Sequence, residues 1–115
     1  MIRICEGSIF DADVDVLVDP VNTVGVMGAG LAKEFKKRYP EMYGAYRSAC
    51  DRGHLHHNGK TFILFYDTIL FKERRAGGAD PRPRYIACLP TKIHWRETSR
   101  LDLIEVGLRN LVSEM

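Results

Sequence analysis

The sequence predicts one small α/β domain, in which helices pack against a mixed or largely parallel β-sheet. Short apolar runs rich in β-branched residues alternate with segments of helical periodicity, in the order β, β, α, α, β, β, α. The 115 residues suffice for one domain with one hydrophobic core. A hydrophobic fraction of 45% and a charged fraction of 28% are typical of a globular protein rather than a disordered one.

The first three predicted elements come from the first 39 residues. Residues 2–6 alternate between apolar and polar side chains, which predicts a first strand. Residues 14–18 form a β-branched run that predicts a second strand, which we expect to stop at Asp19-Pro20. A glycine-rich turn follows, and then a helix whose apolar face comprises Leu31, Ala32, Phe35 and Tyr39.

A second helix and a third strand follow directly. Pro40 is expected to end the preceding helix and to occupy the first position of the next one, which Gly53 stops. The predicted buried stripe of this helix comprises Met42, Tyr43, Tyr46, Ala49 and Cys50. Histidines 54, 56 and 57 are expected in a polar turn before a strand over residues 61–66, which is apolar enough to be central in the sheet.

The last third of the sequence predicts an insertion, a strand and a helix. Residues 72–83 have the composition of a flexible insertion. Residues 84–89 predict a strand that ends at Pro90-Thr91-Lys92. Thr98 or Ser99 can cap a final helix. Its predicted apolar stripe comprises Leu101, Ile104, Leu108, Leu111 and Met115.

Composition also limits the classes of function. No apolar run approaches the roughly 20 residues of a membrane span, and three distant cysteines (Cys5, Cys50 and Cys88) indicate reduced thiols in a cytoplasmic protein. The three neighbouring histidines lack partners at metal-ligand spacing, so no metal site is predicted. Residues 72–100 carry eight basic and three acidic residues, which suggests an anionic ligand or nucleic acid, although charge alone favours a solvated loop.

The glycine-rich turn at residues 22–30 has the form of a phosphate-binding loop, because it lies between a strand and the start of a helix. It is not a Walker A loop, since Leu31-Ala32 follow the last glycine instead of Lys-Ser/Thr. It is not a Rossmann loop, since Lys33 stands where the third glycine belongs. A phosphate or diphosphate loop of another class remains, as does a helix entry that needs glycine only for its turn.

Two segments together resemble a known family. The segment VDPVNTVGVMGAGLAKEF, residues 18–35, resembles the first ligand loop of a macrodomain, in the branch that contains the DarG antitoxins and related terminal ADP-ribose glycohydrolases. The segment LPTKIHWR, residues 89–96, resembles the catalytic-lysine segment of that branch. The two motifs keep their order and approximate separation, and the similarity covers nearly the whole chain.

The resemblance implies an ADP-ribose pocket at the C-terminal ends of the central strands, with no cofactor besides this ligand. Lys92 would be the catalytic residue that attacks or polarises the anomeric carbon, unless it is an ordinary surface lysine. The implied ligand-binding residues are Asn22, Thr23, Val26, Met27, Gly28, Ala29, Gly30 and Thr91. Aromatic and basic side chains beside the lysine favour contacts with nucleic acid through His94, Trp95 and Arg96.

Three functions therefore stay open. The first is an ADP-ribosyl glycohydrolase of the DarG type that partners an ADP-ribosyltransferase toxin, with an acceptor that is thymidine in single-stranded DNA, RNA or a protein carboxylate. The second is a non-catalytic module that binds ADP-ribose, and the third is a basic nucleic-acid-binding module. The resemblance further implies a C-terminally shortened macrodomain, because the family continues into a strand, a second glycine-rich loop and a helix. An unpaired sheet edge would then favour a homodimer.

Overall fold

The computed structural model describes residues 6–68, 83–94, 96, 98 and 100–114. In that part of the chain, a three-stranded mixed sheet and a two-stranded hairpin are combined with three α-helices. The strands are β1 (Val16–Val21), β2 (His56–His57), β3 (Lys60–Thr61), β4 (Leu64–Asp67) and β5 (Tyr85–Pro90). The helices are α1 (Gly30–Arg38), α2 (Pro40–Asp51) and α3 (Leu101–Glu114), and a short 3-10 turn spans Ile9–Asp11.

The described sheet has the order β1-β5-β4, with β1 parallel and β4 antiparallel to β5. The predicted mixed sheet is thus confirmed, whereas the strand expected over residues 61–66 is interrupted, and its second part, β4, lies at an edge of the described sheet rather than at its centre. The chain bends at Phe62, whose amide donates to the Leu55 carbonyl at 2.8 Å, so the run is divided between β3 and β4. Among the described strands β5 is central, and it is buried from Ile86 to Pro90.

The predicted stop of the second strand at Asp19-Pro20 is also wrong, because β1 continues through both residues to Val21. The carbonyls of Asp15 and Val21 accept hydrogen bonds from Tyr85 and Thr91. Backbone groups alternate sides along a strand, so odd-numbered residues bond to β5 and the nitrogen of Pro20 lies on the opposite edge. A proline is tolerated in this strand because its missing N–H is not needed there.

The first two helices cover one face of the sheet and form the main core with it. The helix boundaries agree with the predictions: Pro40 begins α2, and Gly53, at φ 73°, follows its end. Phe10 packs edge-on against Phe35 with ring centroids 4.8 Å apart. The fully or nearly fully buried side chains on this face include Leu17, Val21, Phe35, Tyr39, Met42, Tyr46, Leu55 and Ile86.

Helix α3 packs on the sheet through a face that is rotated from the predicted stripe, of which only Ile104 and Leu111 are half-buried among the described residues. Leu103 and Gly107 are buried, whereas Leu101 is 82% and Leu108 51% exposed. Gly107 explains the rotation, because a Cβ atom there would lie 2.8 Å from two side-chain carbons of Leu89. The missing side chain lets the helix approach β5 closely at this point.

The polar turn predicted at the three histidines contains regular structure. His56 pairs with Thr61 and His57 with Lys60, around a turn in which Asn58 and Gly59 both have positive φ (53° and 75°). Asn-Gly is the usual sequence of such a two-residue hairpin turn. The predicted first strand over residues 2–6 lies outside the described residues except for Glu6, and the insertion at 72–83 does so except for Pro83. None of the described helices has the length and apolar character to cross a membrane.

Candidate functional site

Two loops leave the sheet side by side, because β1 and β5 are parallel and end in register at Val21 and Pro90. Three hydrogen bonds to backbone carbonyls join the loops. The Thr91 amide donates to the Val21 carbonyl at 2.9 Å, and both the amide and the hydroxyl of Thr23 donate to the Ile93 carbonyl, at 2.9 and 3.2 Å. The loop at residues 22–30 is therefore fixed relative to the segment that carries Lys92.

Asn22 organises the first loop from inside. Its Oδ1 accepts hydrogen bonds from the amides of Val24, Gly25 and Val26 at 3.1–3.3 Å, and its Nδ2 donates to the Val26 carbonyl at 2.7 Å. The Tyr46 hydroxyl donates to the Asn22 carbonyl at 2.8 Å and lies 2.9 Å from its Oδ1. Asparagine side chains often stabilise turns in this way. This buried side chain thus holds the loop in an open curve over the end of β1.

The loop leads directly into the N-terminus of α1. Gly30, at φ 59°, turns the chain into the helix in the left-handed conformation that glycine adopts readily. The N-cap residue is Ala29, which makes no side-chain capping hydrogen bond. The first amides of a helix have no partners within the helix and carry the positive end of its dipole, so this uncapped end favours an anion.

A cavity of about 460 Å³ lies between this helix start and the second loop. Its volume is within the usual range for small-molecule sites. Half-buried Lys92 is the one ionisable side chain among the described lining residues. The lining residues are Pro20, Val21, Asn22, Val26, Gly28, Ala29, Leu31, Ala32, Thr91 and Lys92. Among the described residues, no group of three or more His, Cys, Asp or Glu side chains is arranged to hold a metal ion.

Six of the residues implied by the resemblance line this one cavity, namely Asn22, Val26, Gly28, Ala29, Thr91 and Lys92. The other three lie close by but not in its lining: Thr23 is buried against Ile93, Met27 is buried in the core, and Gly30 begins α1. Pro20 and Val21 also line the cavity, although the sequence predicts a strand end before them. Leu31 and Ala32 line it too, although their apolar character predicts a place in the helix core.

The predicted nucleic-acid residues follow Lys92 outside the cavity lining. His94 is half-buried, and its Nδ1 accepts a hydrogen bond from the Arg96 amide at 3.1 Å. Arg96 is exposed. Trp95 lies outside the described residues.

Asp19 is an unusual buried polar residue that lies next to the cavity but does not line it. Its side chain is fully buried, and neither carboxyl oxygen has a hydrogen-bond partner among the residues that the structure describes. It pairs in register with Cys88, whose Sγ lies 3.8 Å from the sulfur of Met42, so it faces α2. Burial raises the pKa of the Asp19 carboxyl to about 8 and the pKa of the Cys88 thiol well above its usual range. One feature of the sequence indicates this burial. Asp19 lies at the same alternate positions of the strand as Leu17 and Val21, which are both buried.

Similar proteins are known at the level of sequence. No family model matches the chain. It is 44% identical over 112 residues to the DNA ADP-ribosyl glycohydrolase of Thermus aquaticus, a match over 97% of this chain. It is 32% identical to a DNA ADP-ribosyl transferase-DNA ADP-ribosyl glycohydrolase fusion protein of Thermosipho africanus. The chain spans under a third of the length of these relatives, 28% and 29% respectively.

Solved structures extend the likeness to the fold. The macrodomain of Thermus aquaticus DarG superimposes with a TM-score of 0.81 at 43% identity, over 99% of this chain and 68% of that one. Thermosipho africanus DarTG in complex with ADP-ribose superimposes with a TM-score of 0.73 at 33% identity, over 94% of this chain and 28% of that one. The cavity between the two loops thus lies within a fold shared across nearly the whole described chain.

Proposed function

Because this chain belongs to the macrodomain family, in its DarG-type branch, we propose that it binds ADP-ribose and removes ADP-ribosyl groups from DNA. The reaction is a hydrolysis in which the bond between the anomeric carbon and the acceptor breaks. Water supplies the hydroxyl group to the carbon and a proton to the acceptor. The observation that carries this proposal is the cavity with the uncapped N-terminus of α1 on one side and Lys92 on the other.

Each part of the cavity suits one part of the ligand. The free amides at the start of α1 would bind the diphosphate, because they present positive partial charge and no side chain occupies them. Lys92 would act at the distal ribose, either as a nucleophile in its neutral form or as a charge that polarises the reacting centre. The hydrogen bonds between the two loops fix the distance between these functions.

A non-catalytic ADP-ribose-binding module is the second candidate. It is favoured by the chemistry of the lining, in which Lys92 has no other ionisable side chain beside it among the described residues. A general acid or base to assist the leaving group would then be missing from the described cavity. Both candidates bind ADP-ribose, and only the first releases it from DNA.

The first test uses single-stranded DNA that carries ADP-ribose on thymidine. We expect the protein to release ADP-ribose from this DNA, measured by chromatography.

A second measurement tests the site by calorimetry. Gly28→Ala should bind free ADP-ribose about tenfold more weakly than the wild type. A Cβ at Gly28 would lie 3.6 Å from Val26, an ordinary contact, so the loop should tolerate it and the loss should come from the ligand. Gly44→Ala is the matched control, because it adds a methyl group in open space on α2. Equal affinity of both variants would place the ligand elsewhere, and binding without release would favour the second candidate.

We further propose an ADP-ribosyltransferase toxin as the partner in the cytoplasm. The proposal is supported by the fused transferase and glycohydrolase of the Thermosipho africanus relative, as its name describes it. The free thiols of Cys50 and Cys88 are consistent with a reducing compartment.

Self-association is the last part of the proposal. Leu101, Leu108 and Val112 lie on one face of α3 and are 82%, 51% and 74% exposed, and β4 pairs on one side only among the described strands. Exposed apolar patches and sheet edges favour association with a second copy. We expect light scattering at high protein concentration to give the mass of a dimer, and Leu108→Lys to reduce it to that of a monomer. A wild-type protein that stays monomeric would contradict this expectation.

A further inference from the structure

A second concave surface lies where the end of α2 meets the β2–β3 hairpin. This hairpin groove has a volume of about 350 Å³ and is lined by Arg52, Gly53, His54, His57 and Phe62. Phe62 is 43% exposed, more than any other Phe or Tyr side chain in the described part of the chain. The hairpin groove thus places one apolar ring beside an arginine and two histidines.

The backbone of the hairpin groove is a fixed frame. The amides of Gly53 and His54 close the end of α2 by donating to the carbonyls of Cys50 and Ala49, at 3.0 and 2.8 Å. The Phe62 amide donates to the carbonyl of Leu55, whose side chain is buried. The hairpin and its tight turn therefore hold Phe62 and His57 beside the helix end without help from a ligand.

Register places the hairpin groove at the same edge of the sheet as the ADP-ribose cavity. Leu64, the first residue of β4, pairs with Cys88, which pairs with Asp19 on β1. Because β4 runs antiparallel to β5, the residues before Leu64 lie toward the end of β5 from which Lys92 follows. Two strand spacings of about 4.8 Å separate β4 from β1. A chain of about three nucleotides covers that distance, at roughly 3.4 Å per nucleotide in a helical strand.

The side chains of the hairpin groove suit a nucleic-acid strand. Residues 51–62 contain two basic residues, three histidines and one acidic residue, Asp51. The side chains of Arg52, His54 and His57 make no hydrogen bond or ion pair within the described ranges, so their donors face solvent. Proteins bind single strands by stacking bases on aromatic rings while cations contact the phosphates.

We propose that the hairpin groove binds the single-stranded DNA adjacent to the modified nucleotide, with Phe62 stacked on a base and Arg52 beside a phosphate. The proposal rests on the proposed function, since it extends the substrate from the ADP-ribose cavity along the same edge of the sheet. It assigns a role in substrate selection to residues that neither the glycine-rich loop nor the lysine segment contains.

The test measures the binding of a short fluorescein-labelled oligothymidylate by anisotropy, in parallel with calorimetry of free ADP-ribose. Phe62→Ala should weaken DNA binding about tenfold, the loss expected when a base loses its aromatic partner, and Phe62→Trp should restore it. Arg52→Ala should also reduce the slope of log affinity against log salt by about 0.7, the value for one phosphate contact. Lys37→Ala, which removes an exposed charge near the far end of α1, is the control and should change the slope less. ADP-ribose affinity should be unchanged in all four variants.

Two outcomes would overturn the proposal. Wild-type affinity of Phe62→Ala for the oligonucleotide would show that no base stacks on this ring, while intact ADP-ribose binding would leave the proposed function standing. Slower release of ADP-ribose by Phe62→Ala from an ADP-ribosylated peptide, with its release from DNA unchanged, would show that the hairpin groove recognises protein. Failure of the wild-type protein to bind ADP-ribose would instead count against the proposed function itself.

Discussion

Lys92→Ala should reduce the release of ADP-ribose from DNA by about two orders of magnitude or more, while free ADP-ribose binds within a few-fold of the wild-type affinity. Lys92 is the one ionisable side chain in the described lining of the cavity, so no described neighbour can replace its charge or its amine. The ligand would keep the amides of α1 and the loop organised by Asn22, which do not depend on the lysine. Single-turnover rates and calorimetry separate the two effects.

Lys92→Arg distinguishes the two roles open to the lysine. Arginine keeps the positive charge but cannot serve as an amine nucleophile, so it should retain a large part of the rate if the charge alone stabilises the transition state. It should be as inactive as the alanine variant if the lysine attacks the anomeric carbon. Normal turnover by Lys92→Ala would remove the residue from catalysis and favour the ADP-ribose-binding module.

Asp19→Asn should stabilise the protein by about 3 kcal/mol or more at neutral pH. The folded chain holds the proton of Asp19 up to about pH 8, whereas the unfolded chain releases it near the ordinary aspartate pKa of 3.8. The stability that this proton provides is therefore complete below pH 4 and is lost as the pH rises through 8. Between these limits the free energy of unfolding of the wild type falls by up to about 1.4 kcal/mol per pH unit. Asparagine carries no titrating group, so the variant lacks this slope.

Urea unfolding of both proteins from pH 4 to pH 9 measures the difference. The two curves should nearly coincide at pH 4, where the wild-type carboxyl is neutral, and separate progressively above it. Asp11→Asn is the control, since it makes the same chemical change at an exposed position. Parallel curves for the wild type and Asp19→Asn would mean that the Asp19 carboxyl is ionised or solvated in the folded state.

The sequence predicts element boundaries correctly where a single residue restricts the backbone conformation. Pro40 and Gly53 mark the two ends of α2 in the sequence and in the structure, because one has a fixed φ and the other tolerates a positive φ. The glycine-rich turn and the lysine segment were also identified as parts of one site, and the parallel pairing of β1 with β5 brings them together. The identity of the proposed ligand follows from the likeness of these segments to a family, because composition and spacing alone do not reveal it.

Features that depend on contacts distant in sequence could not be predicted in the same way. The rotation of α3 follows from the approach of Gly107 to Leu89, which are separated by 17 intervening residues and a change of element. The place of β5 between β1 and β4 depends on which strands pair. The apolar run in β4 does not reveal its pairing partner. The proline after Asp19 predicts a strand end, whereas the pairing of β1 with β5 lets the strand continue to Val21.

The hydrogen bonds around Asn22 have a consequence for the entropy of binding. A glycine-rich loop that is free to sample many conformations loses that freedom when it closes on a ligand, at a cost of about 1–2 kcal/mol for each residue ordered. Here the bonds from Asn22 and Tyr46, with those that join Thr23 to Ile93, already select one shape when the chain folds. The cavity is thus preorganised, and most of the attraction between its amides and a diphosphate remains available as affinity.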